Sequence, residues 1–198
     1  MATRRRCPVS LQLRQLFASI RQRLRDSIYR LIWILQKWQR MRVEHDIRFK
    51  LNGKQITVRC PPAFTLLEVL REQLQVTGPK EDCAKGECGA CTIIMNGKAV
   101  CSCLILASQA EGSDIVTSEG LVKGRRLNLV QEAFLKHGAV QCGHCIPGMI
   151  MSATALLMHN PSPTTGEIKT ALSGNLCRCT GYTKIVAAVN DAAKSWRS

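Results

Sequence analysis

The sequence predicts an α+β protein built from two segments. Residues 44–119 carry strand and hairpin signals, whereas residues 120–198 carry four helical patterns. The first segment reads as two strands, a helix and further strands, which is the order of a β-grasp sheet. The second has short helices joined by short loops, as an all-α four-helix domain would. Each segment also contains a close group of cysteines, so each is expected to hold a site.

The strand signals of the first segment form two hairpins. Apolar residues alternate with polar or charged ones on both sides of Asn52-Gly53, and two short apolar runs flank Asn96-Gly97. Asn-Gly is preferred in the primed turns of two-residue hairpins. Between the hairpins, a capping box at residues 65–68 opens a helix expected to reach about residue 74. A closing strand is expected at residues 115–117.

A cysteine-rich loop lies between that helix and the second hairpin. Cys83, Cys88 and Cys91 have the spacing C-x4-C-x2-C, which is that of plant-type 2Fe–2S ferredoxins. Three thiolates that converge on one cluster from a single loop require residues that tolerate unusual dihedral angles. Gly86 and Gly89 supply this tolerance. They also let backbone N–H groups approach the cluster sulfurs, where hydrogen bonds tune the potential.

The fourth ligand of this site has two candidates, Cys101 and Cys103, of which only one is needed. A zinc site is the alternative interpretation of the whole group. Zinc sites usually combine a C-x2-C pair with a second such pair or with a pair of histidines. Three cysteines within nine residues and one remote cysteine fit that pattern poorly, so the spacing favours a 2Fe–2S cluster.

The second segment has four predicted helices. They are expected over residues 127–137, 147–159, 165–174 and 183–196. Gly138 suits the residue that follows a helix, and Pro147 suits a first helical turn. A further capping box at residues 164–167 precedes the third helix. These signals place two loops directly before the second and fourth helices.

Those two loops carry the second group of cysteines. Cys142 and Cys145 form a C-x2-C pair, and Cys177 and Cys179 form a C-x-C pair. Helix N-termini offer free N–H groups and a positive dipole end, which lower thiol pKa values and stabilise an anionic cluster. A C-x-C pair can bind two positions of a rhombic two-iron core. His144 is expected to be an ordinary loop side chain, because a Rieske-type site needs a second histidine of matching spacing.

The charge of the chain is concentrated in a basic N-terminal extension, residues 1–43. The chain has a formal net charge of +14, and residues 1–42 contain eleven Lys or Arg but only Asp26 as an acid. Apolar residues in this extension recur every three or four positions, which predicts an amphipathic helix. Such a helix can lie on an anionic membrane surface or dock on a partner; a solvated helix and a translation start at Met41 are the alternatives.

Together, the two motifs resemble those of a known family. The C-x4-C-x2-C-x11-C run, followed by QCGHCIPGMIMSA and GNLCRCTGYTKIV, is similar to the small iron–sulfur subunit of the xanthine dehydrogenase, aldehyde oxidoreductase and carbon monoxide dehydrogenase family of molybdenum hydroxylases. The resemblance covers residues 44–198. It implies a plant-type 2Fe–2S ferredoxin domain followed by a four-helix domain that binds a second 2Fe–2S cluster.

The resemblance also implies the roles of individual residues. It assigns the first cluster to Cys103 rather than Cys101, since Ser102-Cys103-Leu104 matches the family's fourth-ligand sequence. Gln141 and Cys179 match positions that contact the pterin of the molybdenum cofactor. His144 stands where the family usually has an aromatic residue. The implied ligand sets are Cys83, Cys88, Cys91 and Cys103 for one cluster, and Cys142, Cys145, Cys177 and Cys179 for the other.

The implied function is electron transfer within a larger oxidoreductase. Electrons would pass singly from a large molybdenum-binding subunit through the two clusters to FAD on a medium subunit, or to another acceptor. The chain lacks a dinucleotide or phosphate-binding motif, so no substrate site is expected on it, and no nucleic-acid partner is expected. Eleven cysteines without a secretory signal indicate a reducing compartment, expected to be the cytoplasm.

Overall fold

The computed structural model describes residues 44–196. These residues belong to one compact unit. The amphipathic helix predicted within residues 1–43 lies outside the described residues, so it stays a prediction. Within the described range, no helix is long and apolar enough to cross a membrane.

A mixed sheet of five strands forms the first half of this unit. The strands are β1 (His45–Leu51), β2 (Lys54–Cys60), β3 (Thr92–Met95), β4 (Lys98–Cys101) and β5 (Asp114–Val116). In spatial order they run β2-β1-β5-β3-β4. The β1–β2, β3–β4 and β3–β5 pairs are antiparallel, whereas β1 and β5 are parallel.

The two predicted hairpins are confirmed, and their turns have the expected geometry. Asn52 and Gly53 have φ values of 50° and 84°, and Asn96 and Gly97 have values of 51° and 80°. Two consecutive residues with positive φ are what a two-residue turn of type I′ requires. The alternation of apolar and polar residues in β1 also matches the structure, because the apolar residues face inward and are buried in the sheet core. These residues are Ile47, Phe49 and Leu51.

The helix predicted after the first hairpin is only partly regular. The Thr65 capping box is present, since Thr65 Oγ1 accepts from Glu68 N at 3.2 Å and Thr65 N donates to Glu68 Oε2 at 2.8 Å. However, α1 (Leu66–Glu68) gives way to a π-helical turn over Val69–Gln73. The segment is buried on two sides: Leu66 packs in the sheet core, and Leu67 packs against cysteines of the first predicted cluster site. The predicted extent of the helix, to about residue 74, is therefore confirmed, but its second half is π-helical rather than α-helical.

Four helices form the second half, close to their predicted bounds. Their apolar faces share one core with the partly buried Cys177 and the buried Cys145. The first begins at an Asn128 capping box that the sequence prediction missed, with Gln131 N donating to Asn128 Oδ1 at 2.8 Å. The helices are α2 (Leu129–Lys136), α3 (Ile146–His159), α4 (Thr165–Leu172) and α5 (Thr183–Trp196).

Helix α3 joins the two halves. One side of it contributes Met149 and Leu157 to the core of the helices. Its other side places Met151 and Ala155 against Ile94 of β3. Because α3 starts directly after one cysteine pair and β3 starts directly after Cys91, this contact brings the two cysteine-bearing regions to the same interface.

Candidate metal centres

The first group of thiols is assembled where the loop after α1 meets the end of the hairpin β3–β4. Cys88, Cys91 and Cys103 are buried, and Cys83 is half-buried. Ser102 connects the end of the hairpin to the cysteine loop, because its N–H and its hydroxyl both donate to Cys91 O, at 3.3 and 2.8 Å. These bonds hold Cys103 beside Cys91, although eleven residues separate them in the chain.

The environment of these thiols favours thiolate at some positions and thiol at others. Contact with the Cys101 thiol lowers the pKa of Cys91 to about 5 and raises the pKa of Cys101 far above its usual range. The Lys85 N–H, which lies 3.4 Å from Cys83 Sγ, is the main reason that the pKa of Cys83 falls to about 7. Burial raises the pKa of Cys103 to about 11. The environments of Cys83 and Cys91 thus favour the thiolate form that an iron ligand needs, whereas Cys103 would have to lose its proton on binding iron.

Both candidates for the fourth ligand lie close to Cys91. Cys101 and Cys103 each form a side-chain hydrogen bond with it. Cys101 Sγ is also 3.8 Å from Gly86 O. The choice of Cys103 therefore stays a prediction. The expected backbone of the loop is confirmed, since Gly86 and Gly89 have positive φ values of 78° and 69°.

The second group of thiols joins two loops at the ends of helices. Cys145 is the N-cap residue of α3, and Cys142 lies three residues before it. Each of these cysteines contacts one cysteine of the loop between α4 and α5. Cys142 Sγ lies 3.6 Å from Cys179 Sγ, and Cys145 forms a side-chain hydrogen bond with Cys177. A rhombic two-iron core takes two thiolates at each iron, so two thiol pairs fit its ligand requirement.

A ring of hydrogen bonds shapes the loop that carries Cys177. Thr180 Oγ1 accepts from Tyr182 N at 3.3 Å and donates to Cys177 Sγ at 3.0 Å. Tyr182 Oη accepts from Cys177 N at 2.7 Å and donates to Asn175 O at 3.3 Å. Burial acts to raise the pKa of Cys177, but several hydrogen bonds, of which the two from Thr180 contribute most, together outweigh it and lower that pKa. Thr180 thus favours the thiolate form of Cys177, and Tyr182 holds the backbone of the same loop.

Sequence analysis missed these supporting residues. Thr180 and Tyr182 directly follow the C-x-C pair, in the run CRCTGY, and that adjacency was the available signal. Asn175 could not be recognised in this way, since its side chain contacts residues more than eighty positions earlier. Hydrogen bonds to ligand sulfurs orient the ligands and tune a centre's potential. Thr180, whose hydroxyl donates to Cys177 Sγ, is therefore part of the site, whereas Tyr182 and Asn175 support the loops that carry it.

The remaining predicted residues are at the surface beside the second group. Gln141, Cys142 and His144 are exposed, as is Cys179. The predicted pterin contacts of Gln141 and Cys179 stay predictions. Among residues 44–196, no three or more His, Cys, Asp or Glu side chains are arranged to hold a metal ion.

Two family models match the chain, and each covers one of the cysteine groups. Residues 49–120 match a 2Fe-2S iron–sulfur cluster binding domain, and residues 117–190 match a [2Fe-2S] binding domain. The chain is 52% identical to the nicotinate dehydrogenase small FeS subunit of Eubacterium barkeri over 148 residues. The aligned residues make up 75% of this chain and 94% of that subunit. The chain belongs to the family of small iron–sulfur subunits of the molybdenum hydroxylases.

Further members of the family show the same extent of similarity. The xanthine dehydrogenase iron–sulfur-binding subunit of Escherichia coli O157:H7 is 48% identical over 151 residues, which are 75% of this chain and 94% of that subunit. One chain in the crystal structure of quinoline 2-oxidoreductase from Pseudomonas putida 86 matches this chain with a TM-score of 0.76 and 44% sequence identity. The match covers 78% of this chain and 96% of that one. The chain is accordingly an oxidoreductase subunit with two 2Fe–2S binding domains.

Proposed function

We propose that this chain carries electrons through two 2Fe–2S clusters within a molybdenum hydroxylase complex. The observation that carries the proposal is the presence of two separate thiol groups on loops of one compact unit. A bound 2Fe–2S cluster accepts and releases one electron at a time, so two of them suit the division of a two-electron oxidation. The proposed ligand sets are Cys83, Cys88, Cys91 and Cys103, and Cys142, Cys145, Cys177 and Cys179.

The two thiol groups differ in exposure, and this difference suggests their partners. In the first group three of four thiols are buried, whereas Cys142 and Cys179 of the second are exposed. Gln141 is exposed beside them. An exposed cluster edge is the natural place for exchange with an external redox group, so we assign this edge to the molybdopterin cofactor of a large subunit. The first group would then pass electrons towards FAD on a medium subunit, or towards another acceptor.

The finer domain description is part of the same proposal. A plant-type β-grasp ferredoxin domain would span residues 44–119, and a four-helix domain would span residues 120–198. The primed hairpins, the parallel β1–β5 pair and the shared core of the helices support this division. The basic extension, residues 1–43, would dock on a partner or a membrane surface, and the compartment would be the reducing cytoplasm.

The decisive experiment is metal and spectroscopic analysis of the full-length chain isolated without oxygen. We expect iron and acid-labile sulfide that correspond to two 2Fe–2S centres per chain, with two distinct electron paramagnetic resonance signals after reduction. Cys145→Ser should abolish one signal and keep the other. Cys60→Ala is the matched control, because Cys60 is fully buried in β2 and belongs to neither group. Both signals should survive in that variant.

The place of the chain in a complex requires a second measurement. A tagged full-length chain should co-purify at fixed stoichiometry with a large subunit that contains molybdenum and pterin. A stable monomer that shuttles electrons alone would instead indicate a free ferredoxin-like carrier. Zinc, or cystine without iron, in the anaerobically isolated chain would refute the cluster assignment.

A further inference from the structure

A buried asparagine connects the two cysteine regions. The Asn175 side chain is 4% exposed, and its amide group donates to Gly89 O at 2.9 Å and to Thr92 Oγ1 at 3.2 Å. Its Oδ1 accepts from Ser152 Oγ of α3 at 2.6 Å. Each of these partners belongs to a different place: the first cysteine loop, the start of β3, and the helix that follows Cys145. One side chain thus satisfies polar groups from three elements in a buried position, where an unpaired group costs free energy.

The next residue makes a backbone contact across the same boundary. Leu176 N donates to Cys88 O at 2.8 Å. Its side chain plays no part in this contact and is 57% exposed. Cys88 is a proposed ligand of the first cluster, and Cys177, directly after Leu176, is a proposed ligand of the second. A single hydrogen bond therefore links the main chain of one ligand to the residue beside another.

Two glycines allow the backbones to approach this closely. A Cβ atom at Gly148 of α3 would collide with Gly89 O and would lie 3.1 Å from Asn175 Nδ2. A Cβ atom at Gly89 would collide with Gly174 O. No side chain can stand between the first cysteine loop, the start of α3 and the second cysteine loop at this point. The contact is backbone against backbone, with Asn175 as its polar centre.

We propose that Asn175, together with the amide of Leu176, is a positioning element that fixes the separation of the two clusters. The proposal rests on the proposed function, because it requires both clusters to be present. Electron tunnelling slows exponentially with distance, so a relay benefits from a rigid link between its centres. A bond network that crosses directly from one ligand loop to the other supplies that link without adding length.

The test is the distance distribution between the two reduced clusters in the full-length, cluster-loaded chain. Their magnetic dipolar interaction, which falls with the cube of their separation, can be measured by pulsed electron paramagnetic resonance. We expect Asn175→Ala to keep native iron and sulfide content but to broaden the distribution and move its mean to longer distance. The rate of electron exchange between the clusters should fall with it.

Two controls separate positioning from a general loss of stability. Asn190→Ala removes a partly buried asparagine whose amide donates to Val186 O within the same helix, α5. Leu176→Ala removes an exposed side chain and keeps the amide. Both should retain the native distance distribution. A native distribution in Asn175→Ala, with both clusters present, would overturn the proposal.

A less disruptive variant tests the same proposal if Asn175→Ala does not take up its clusters. Ser152→Ala removes only the hydroxyl that donates to Asn175 Oδ1. A smaller broadening in the same direction would support the proposal, and an unchanged distribution would refute it. Fewer than two clusters in the native chain would instead refute the proposed function, and this outcome is recognised before any variant is compared.

Discussion

Substitution of Gly148 by alanine tests the close contact between α3 and the first cysteine loop. In an ordinary helix, Gly→Ala stabilises by about 0.5–1 kcal/mol, because glycine loses more conformational freedom on folding. Here the added methyl group would collide with Gly89 O, a backbone atom, and press on Asn175 Nδ2. The collision cannot be relieved by rotation of a flexible side chain, so α3 or the loop must move.

The magnitude follows from these opposing effects. Overpacking in a well-packed interior costs about 1–3 kcal/mol. After subtraction of the helix-propensity gain of about 0.5–1 kcal/mol, the net destabilisation lies between about 0 and about 2.5 kcal/mol, with a midpoint of about 1 kcal/mol. For a chain of this size each kcal/mol lowers the midpoint by about 2–4 °C, so the expected decrease is several degrees.

The assay is thermal unfolding of the cluster-loaded chain under anaerobic conditions, followed by circular dichroism. Since cluster loss makes the transition irreversible, all variants must be heated at the same rate. Gly166→Ala is the matched control. It also lies in the first turn of a helix, α4, but its Cβ would meet nothing closer than Thr164 Oγ1 at 3.8 Å. Its midpoint should stay unchanged or rise, and equal midpoints for the two variants would refute the packing argument.

Two further predictions concern the sulfur ligands. Cys103→Ser should lose the iron and the resonance signal of the first cluster, whereas Cys101→Ser should keep both; the reverse result would show that Cys101 is the fourth ligand. Thr180→Val should lower the reduction potential of the second cluster by tens of millivolts, since it removes a hydroxyl that donates to Cys177 Sγ at 3.0 Å. The magnitude follows from the relation that about 1.4 kcal/mol of differential stabilisation corresponds to about 59 mV for one electron. Thr180→Ser retains the hydroxyl, so an equal shift in that variant, measured by redox titration, would contradict the role of the hydrogen bond.

Features encoded by neighbouring residues were predictable from the sequence. Asn52-Gly53 and Asn96-Gly97 form the expected turns, and the Thr164 capping box precedes α4 as predicted. These features depend on interactions across two to four residues, which a sequence displays directly. The cysteine spacing is likewise displayed directly, since Cys83, Cys88 and Cys91, three proposed ligands of one cluster, lie within nine residues.

Features set by packing were not predictable. The π-helical turn at Val69–Gln73 follows a segment buried against both the sheet core and the first cysteines. Helical periodicity in a sequence identifies one apolar face of a helix. It does not predict that a second face will also be buried. The fourth ligand is open for a related reason, since Cys101 and Cys103 both contact Cys91.

Asn175 shows why the separation of the two sites is harder to infer than their chemistry. In the sequence it is a polar residue in a short loop, where asparagine is common in turns and needs no further explanation. Its importance arises from Gly89 and Thr92, which precede it by 86 and 83 residues and become its partners only after α3 has packed against β3. Spacing along the chain specifies which thiols can share a centre. The distance between the centres depends on contacts between distant segments, and in this chain those contacts converge on one buried amide.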